Sequence, residues 1–385
     1  MASMTQDRPL LSIVVPTRER PETLAYCLRT IVDQPDQRIE IIVSDNCSAP
    51  RTREVVDAVK DKRLRYIRPE QRLGMTEHWE FALGHAQGDW ITFIGDDDGL
   101  LPSAAARFFD LVGRYKVEAV TSNVSRFRWP DPPDRDESRL VVHLGHGAEI
   151  RDARQALIDI LHRGGEFVAL PYIYTGGFLH KNVIAKVKDR SGGRFFQSII
   201  PDVYSAVAAC SVVDKYLFVR EPLAVAGVSP RSNGLQISRT PAGNLLDIPF
   251  YTESKMTFLP MLGNGAIKGV PLLIYEAVLR SQNLRDFDLD ISLPQQLALA
   301  IADATKNTRA EIVEYIGGVA RLNGVDFKEV LRLSRGIRRE IRLRKLGRQI
   351  RDHTPYLRGL QKQIFVGDPE LRTICDATRR VEAFV

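Results

Sequence analysis

The alternation of strand-like and helix-like patterns over the first hundred residues is the feature that most restricts the fold. The stretch "LLSIVV" ends at Pro16, "PETLAYCLRTIVDQ" has apolar residues at helical spacing, and "IEIIVSD" begins a second strand at Ile39. Further helix and strand patterns lead to the apolar run that begins at Trp90. Because parallel strands are joined by long crossovers, usually helices, this order predicts an α/β fold with a doubly wound, mostly parallel sheet flanked by helices.

Polar side chains gather where the predicted strands end. Thr17 and Arg18 follow the first strand, Asp45 closes the second, and the aspartate run 96–98 follows the fourth. Ligands of doubly wound sheets bind beyond the carboxyl ends of the strands. Three adjacent carboxylates repel one another, and a divalent cation would relieve that repulsion. The structural alternative is a solvated, Asp-rich turn with Gly99 in an unusual backbone conformation.

The length of 385 residues allows more than one domain. We expect a first unit over residues 1–125 and a second over residues 126–244. The second opens with a Pro-, Asp- and Arg-rich stretch up to about Ile150, which indicates an excursion or flexible loop, and contains a helix that starts near Pro201. Residues 245–385 have helical patterns almost throughout, so a largely α-helical C-terminal region is predicted.

The composition is that of a soluble globular protein, with 44% hydrophobic and 26% charged residues. No apolar run approaches the length that crosses a bilayer, and the N-terminus does not resemble a secretory signal. The four cysteines lie far apart, which indicates neither a zinc site nor a disulfide framework. A cytoplasmic location is therefore expected.

The chain resembles the inverting glycosyltransferases of family 2, which are nucleotide-diphospho-sugar transferases with the GT-A fold. The resemblance lies in "SIVVPTRERPETLAYCLRTI", "IEIIVSDNCS", "RLGMTEHWEFALGHAQGDWITFIGDDDGLLP" and, more weakly, "PDVYSAVAA". It implies transfer of a sugar from a UDP- or dTDP-sugar to a hydroxyl acceptor with inversion, in the synthesis of surface polysaccharide or glycoconjugate. Residues 1–125 would then bind the nucleotide sugar, and residues 126–244 would bind the carbohydrate or lipid-linked carbohydrate acceptor.

The resemblance assigns donor-binding roles to the ends of the first two strands. Pro16, Thr17 and Arg18 would line the nucleotide, and Asp45 would meet the base. A carboxylate that accepts the ring N–H of a pyrimidine favours uridine or thymidine donors. An Asx turn that ends the strand is the structural alternative for Asp45.

The aspartate run resembles the D-x-D element, whose last acid commonly binds Mg²⁺ or Mn²⁺ on the diphosphate. Hard oxygen ligands suit these ions. Asp96 and Asp98 have the D-x-D spacing, whereas the commoner alignment places Gly95 at the first acid and Asp97 at the last. Asp96, Asp97 and Asp98 are all candidate metal ligands, and Asp96 is also a candidate donor contact.

Asp202 is the candidate general base, because the resemblance places this acid about a hundred residues after the metal acids. The usual pair there is Glu-Asp, whereas this chain has Pro201-Asp202, and a simple helix-start residue is the alternative. Gly176 and Gly177 would let the backbone approach the donor sugar, or would form an ordinary turn. In the helix before the aspartate run, core packing is expected for Trp79, and catalysis is not expected of His78.

Two other enzyme classes share parts of the pattern. "DDDGLL" is similar to the opening of haloacid-dehalogenase-type phosphatases, but here it follows a full βαβα layout, and the later lysine and second acidic pair are not evident. Sugar nucleotidyltransferases share the parallel sheet and the metal acids, but they have a Gly-rich phosphate loop that "VVPTRERP" lacks. Both remain alternatives to glycosyl transfer.

A basic block lies between Arg335 and Arg351, with apolar residues near helical spacing at Leu333, Ile337, Ile341 and Ile350. It predicts an amphipathic helix with a cationic face. Such a helix could be a solvated surface, could contact another copy of the chain, or could hold the protein on the inner face of a membrane as a peripheral contact. Nucleic acid is not expected as a partner, since no recognition fold accompanies the block.

Overall fold

The computed structural model describes residues 10–131, 137–234, 236, 247–263, 267–353 and 362–385, with backbone alone at 345–353 and 362. The strands are β1 (Leu11–Thr17), β2 (Ile39–Asp45), β3 (Leu64–Ile67), β4 (Trp90–Phe93), β5 (Gly99–Leu100), β6 (Ala119–Arg128), β7 (Arg139–His143), β8 (Ala148–Asp152), β9 (Gly177–His180), β10 (Lys215–Val228) and β11 (Lys362–Val366). The first helices are α1 (Pro21–Val32), α2 (Pro50–Ala58), α3 (Met75–Leu83), α4 (Ala104–Arg114), α5 (Ala153–Arg163), α6 (Lys181–Arg190) and α7 (Pro201–Val212). The later helices are α8 (Pro249–Thr252), α9 (Val270–Arg280), α10 (Leu293–Asp303), α11 (Arg309–Leu322), α12 (Phe327–His353) and α13 (Ile374–Glu382).

Within these ranges, the strands form one mixed sheet. Along its main path the order is β11-β7-β6-β9-β4-β1-β2-β3, and β10 pairs with β5, β6 and β8. β1 is parallel to β2 and β4, and β2 is parallel to β3, as the sequence predicts. The α/β fold with flanking helices is thereby confirmed. The carboxyl ends of β1, β2 and β4 meet at one edge of the sheet.

Burial explains why the first strands read as apolar runs. Nearly all of β1 and all of β2 are buried, because helices cover both faces of this part of the sheet. α1 begins with Pro21, whose fixed backbone angle suits a first helical position. Its buried residues include Leu24, Leu28 and Ile31.

The structure corrects the expectation of an excursion or flexible loop up to Ile150, because strands occupy much of that stretch. β6 extends to Arg128, β7 lies within that stretch, and β8 begins within it. β7 pairs antiparallel with β6, and β8 pairs antiparallel with β10. The Pro- and Asp-rich part that suggested a loop falls largely on 132–136, which lie outside the described residues.

The C-terminal region is largely helical, as predicted, through α8 to α12. Residues 362–385 instead return to the α/β part of the chain. There β11 pairs antiparallel with β7, and α13 packs beside α1, where Cys375 Sγ donates to the Tyr26 carbonyl at 3.3 Å. The boundaries at 125 and 244 stay predictions. In the part of the chain that the structure describes, every helix is too short or too polar to cross a membrane.

Candidate functional site

A cleft of about 390 Å³ lies at the carboxyl ends of β1, β2 and β4. Its lining includes three of the predicted donor-binding residues, Pro16, Thr17 and Arg18. The other lining residues are Glu19, Arg20, Asn46, Met75, His78, Trp79, Gly95, Asp96, Asp97, Tyr174, Arg231, Asn233, Gln236, Pro249, Phe250 and Glu253. The cleft therefore joins the predicted nucleotide-binding strand ends to residues of the second half and of α8.

The end of β1 is bound directly to the aspartate run. Thr17 Oγ1 donates to Asp96 Oδ2 at 2.7 Å, so these two predicted site residues lie together. Arg18 forms a bidentate ion pair with Glu253, and the distance from Nη2 to Oε1 is 2.7 Å. Glu253 follows Arg18 by 235 residues, so the local sequence does not indicate this pairing.

Arg20 is a site residue that the sequence analysis missed. Its Nη1 lies 3.0 Å from Asp96 Oδ1 and 4.0 Å from Asp97 Oδ1. Burial alone would lower the pKa of Arg20, but the negative charges of Asp96 and Asp97 outweigh it and raise that pKa above its ordinary value. Arg20 also donates to the carbonyl of Arg231, which joins the β1 end to the segment after β10.

Asp97 has one oxygen bound and one facing Arg20. Its Oδ2 accepts from the Ser229 backbone N–H at 3.1 Å and from Ser229 Oγ at 2.6 Å. Burial, followed by the charges of Asp98 and Asp96, raises the pKa of Asp97 to about 7. A cation at this carboxylate would favour its ionised form.

The carboxylate of Asp98 binds both the turn and β10. This carboxylate accepts from the backbone N–H of Gly227 at 2.6 Å, from the backbone N–H of Gly95 at 3.0 Å and from Thr175 Oγ1. Burial raises the pKa of Asp98, and these donors oppose the rise. Asp98 is absent from the cleft lining, whereas Asp96 and Asp97 belong to it.

The donor set at the cleft fits a magnesium or manganese ion. No group of three His, Cys, Asp or Glu side chains with metal-binding geometry occurs among the described residues. Mg²⁺ is nevertheless commonly held by one or two carboxylates plus substrate phosphates and waters. Asp96 and Asp97 supply two carboxylates beside the cleft, and their mutual repulsion would be relieved by the ion.

The back of the aspartate turn is packed against distant parts of the chain. Trp129 Nε1 donates to the Asp97 carbonyl at 3.0 Å. At Gly99 an added Cβ would lie 2.8 Å from Ile374 Cγ1 and 2.9 Å from Thr378 Cγ2, both on α13. Gly99 is therefore required by this close approach of α13.

Asp45 lies at the end of β2 but outside the cleft lining. It is fully buried, and its carboxylate accepts from Tyr66 Oη at 2.6 Å, from Arg68 Nη1 at 3.1 Å and from the Ser48 N–H at 3.0 Å. The next residue, Asn46, does line the cleft. Contact between Asp45 and a base stays a prediction.

Asp202 is in the first turn of α7, directly after Pro201, as the sequence predicts. Burial raises the pKa of Asp202 to about 6. It is not part of the cleft lining, but its charge, together with those of Asp98, Asp97 and Asp96, helps burial to raise the pKa of the Tyr174 hydroxyl. Tyr174 is therefore close to both the aspartate run and the candidate base.

An aromatic wall that includes Tyr174 closes one side of the cleft. The ring of Trp79 stacks on Tyr174 with centroids 5.2 Å apart and on Phe93 with centroids 4.8 Å apart. Trp79 is only 3% exposed, which agrees with the core packing expected for it, yet it also lines the cleft. Tyr174 carried no sequence signal apart from its position just before the two adjacent glycines.

Gly176 and Gly177 have a packing role in the structure. Gly176 has a φ of +88°, and an added Cβ would lie 2.6 Å from Val124 Cγ2. At Gly177 an added Cβ would collide with the carbonyl oxygen of Tyr172. Neither glycine lines the cleft, so an approach to the donor sugar stays a prediction.

Comparison with known proteins agrees with this geometry. The family model for "Glycosyl transferase family 2" matches residues 12–170. Among curated relatives, the "GalNAc(5)-diNAcBac-PP-undecaprenol beta-1,3-glucosyltransferase" of Campylobacter jejuni is 35% identical over 99 residues, which is 25% of this chain and 32% of that protein. The "Putative teichuronic acid biosynthesis glycosyltransferase TuaG" of Bacillus subtilis is 28% identical over 97 residues, which is 25% of this chain and 38% of that protein.

These matches leave much of both partners uncovered. The chain spans about a third of the length of the curated relatives it matches; "Uncharacterized protein MT1568" of Mycobacterium tuberculosis, for example, is 32% identical over 104 residues, 27% of this chain and 33% of that protein.

Among solved structures, S. aureus TarS 1–349 in complex with UDP-GlcNAc has a TM-score of 0.50 at 14% identity, with 86% of this chain and 91% of that chain covered. At that identity the likeness concerns the fold alone. The phosphatase and nucleotidyltransferase alternatives are not favoured by these findings. The likeness to glycosyl transferase family 2 therefore lies in residues 12–170 of this chain.

Proposed function

We propose that the chain transfers a sugar from a UDP- or dTDP-sugar to a hydroxyl acceptor with inversion of the anomeric centre. The observation that carries the proposal is the cleft in which Thr17, Arg20, Asp96 and Asp97 meet at the ends of parallel strands. Cationic and acidic groups side by side suit a diphosphate that is bound together with a metal ion. Pro16 and Arg18 line the same cleft and would contact the nucleotide.

Asp96 and Asp97 would hold Mg²⁺ or Mn²⁺, and Asp98 would hold the turn in shape. When bound, the ion would offset the negative charge that develops on the departing diphosphate. Arg20 lies beside both carboxylates, so it would have to share them with the ion or turn toward the phosphates. The cation dependence of the reaction is part of the proposal.

Asp202 would act as the general base. With a pKa of about 6 it is mostly ionised at neutral pH, yet basic enough to accept a proton from an acceptor hydroxyl. The hydroxyl oxygen would form the new bond to the anomeric carbon as the bond to the diphosphate breaks, and the hydroxyl proton would pass to Asp202. Attack from the face opposite the leaving diphosphate inverts the configuration.

The acceptor would be carbohydrate, free or lipid-linked, in the synthesis of a surface polysaccharide or glycoconjugate. The names of the C. jejuni and B. subtilis relatives support this class, since one includes an undecaprenol-linked sugar and the other teichuronic acid biosynthesis. A lipid-linked acceptor would require the enzyme to work at the inner face of a membrane. Peripheral membrane contact through α12 is therefore included in the proposal.

Calorimetry with UDP, dTDP and GDP, each with and without Mn²⁺, tests the proposed donor class. We expect UDP or dTDP to bind more tightly than GDP, and the affinity to increase when Mn²⁺ is present. A chain that binds none of these nucleotides, or that releases phosphate from phosphate esters instead, would contradict the proposal.

A further inference from the structure

His78 is a buried histidine at the nucleotide end of the cleft to which the proposed mechanism gives no role. It lies on α3, is 4% exposed, and belongs to the cleft lining. Its Nε2 lies 2.8 Å from Ser44 Oγ, at the end of β2. The ring is therefore held between the β2 end and the open cleft.

The ring is neutral, and its Nε2 has a hydroxyl partner. Burial lowers the pKa of His78 to about 4, although the charge of Asp45 and a backbone hydrogen bond to Ser44 oppose the shift. The Ser44 hydroxyl can accept from Nε2–H as well as donate to Nε2, and with the ring proton on Nε2 the other nitrogen, Nδ1, is left as an acceptor.

Two polar side chains at the end of β2 are already engaged. Asp45 accepts from three donors, and the Asn46 side chain both donates to the Leu73 carbonyl at 2.7 Å and accepts from the Leu73 N–H at 2.9 Å. His78 Nδ1, in contrast, has no hydrogen-bond partner within the described part of the chain. An acceptor without a partner at the edge of a ligand cleft is suited to a donor group of the ligand.

We propose that the ring proton of His78 lies on Nε2 and that His78 determines the specificity for the nucleobase, with Nδ1 accepting the imide N–H of uracil or thymine. Cytosine has a bare acceptor nitrogen at the same ring position, so it would face His78 Nδ1 acceptor to acceptor. The inference rests on the proposed function, because it assumes that the cleft binds a nucleotide. In this proposal Asp45 acts on His78 through its negative charge, and Asp45 need not contact the base directly.

The test compares UDP with CDP, which differ in the base alone. Calorimetry in the presence of Mn²⁺ should show that the unaltered chain prefers UDP by about tenfold or more. His78→Phe keeps a flat ring but removes the acceptor, so UDP affinity should fall about tenfold while CDP affinity changes less than about threefold. His85→Phe, just beyond the end of α3, is the matched control and should leave both affinities unchanged.

A second measurement does not depend on the folding of a variant. In the unaltered chain with ¹⁵N-labelled histidine, the Nδ1 resonance of His78 should shift when UDP is added and should stay unchanged with CDP. An unchanged UDP preference in His78→Phe, or an Nδ1 resonance insensitive to UDP, would overturn the role of His78 alone. If the unaltered chain bound neither nucleotide, the proposed function would fail, and this inference with it.

Discussion

Three adjacent aspartates have three different surroundings in this protein. Asp96 binds Thr17 and Arg20, and Asp97 binds Ser229 and lines the cleft. Asp98 accepts from one backbone N–H of the turn, at Gly95, and from one of β10, at Gly227. Sequence spacing alone allowed Asp96 with Asp98, or Asp97, as the metal acids. The structure separates them because the side chains of successive residues point in different directions as the chain leaves β4.

Asparagine substitution should separate the role of Asp97 from that of Asp98. Asp98→Asn places an amide N–H₂ against backbone donors, so the free energy of unfolding should fall by about 1–3 kcal/mol in urea titrations. Asp97→Asn can keep an oxygen toward Ser229, so its stability should change by less than about 1 kcal/mol, while Mn²⁺ should no longer increase UDP affinity. Equal stability losses in the two variants would contradict this assignment.

Asp202 is expected to control turnover rather than binding. Asp202→Asn should lower kcat by about 10²-fold or more and should leave the Kd for UDP within about threefold. The base must be ionised to work, so kcat/KM of the unaltered chain should rise as the pH increases toward about 6, the pKa of Asp202, and should then level off. Asp189→Asn, at an exposed carboxylate, is the control. Near-normal turnover in Asp202→Asn would place the base elsewhere.

The limits of sequence reasoning at the residue scale follow from distance along the chain. Thr17 and Asp96 were both predicted as site residues because each ends a strand, and the 2.7 Å bond between them agrees with that reasoning. Glu253 and Ser229 lie far along the chain from their partners Arg18 and Asp97. No pattern near either residue indicates such a partner, since tertiary packing alone brings them together.

At the scale of whole elements, β1, β2 and α1 were predictable, whereas β7 and β8 were not. The early strands are buried on both faces and so read as apolar runs. β7 and β8 are short, partly exposed strands that depend on pairing with β6 and β10. A mixture of polar and apolar residues then resembles a loop unless the neighbouring strand is known.

The helix α12 has an arginine stripe, formed by Arg335, Arg339 and Arg342, on one exposed face. The i, i+4, i+7 spacing aligns them, and none has an acidic partner within the described side chains. On the other side of α12, Leu333 and Ile337 pack against buried apolar residues of the C-terminal helices, so the apolar face of α12 is covered by the protein itself. The basic residues beyond Arg344, including Lys345, have side chains outside the described residues.

We expect the arginine stripe to bind anionic membrane surfaces in a salt-dependent way. Each arginine near such a surface contributes about 1 kcal/mol, so reversing all three charges should abolish co-sedimentation with anionic vesicles at low salt. The variant is Arg335→Glu, Arg339→Glu and Arg342→Glu combined; Arg338 is left intact because it donates to the Ala304 carbonyl at 3.0 Å.

High salt and neutral vesicles serve as controls, since both should release the unaltered chain. If the unaltered chain stays in the supernatant with anionic vesicles at low salt, the membrane contact is wrong. Sedimentation velocity of the same two proteins would then show whether the stripe joins two copies of the chain.

At the scale of the whole molecule, the segment that matches the family is not a complete structural unit. Residues 12–170 contain neither β10, which pairs along β6, nor α7 and α13, which supply buried core residues. A fragment of residues 12–170 should therefore lack a cooperative urea transition. The three tryptophans, Trp79, Trp90 and Trp129, all lie within the fragment, so fluorescence can follow it directly.

A chain that begins at residue 10 is the matched control, because it keeps every described element. It should unfold cooperatively with its tryptophans buried, as they are in the structure. A cooperative transition in the 12–170 fragment would show that the remaining elements are dispensable for folding.

The packing of α13 behind the aspartate turn has a consequence for the order of folding events. The hydrogen bond from Cys375 to Tyr26 joins residues 349 positions apart, and α13 contacts Gly99 from the same side. Contacts of such high sequence separation form slowly, because a long loop must close before they contribute. During refolding, helical signal should therefore return well before Mn²⁺-dependent nucleotide binding, so the competence of the site would report the docking of α13.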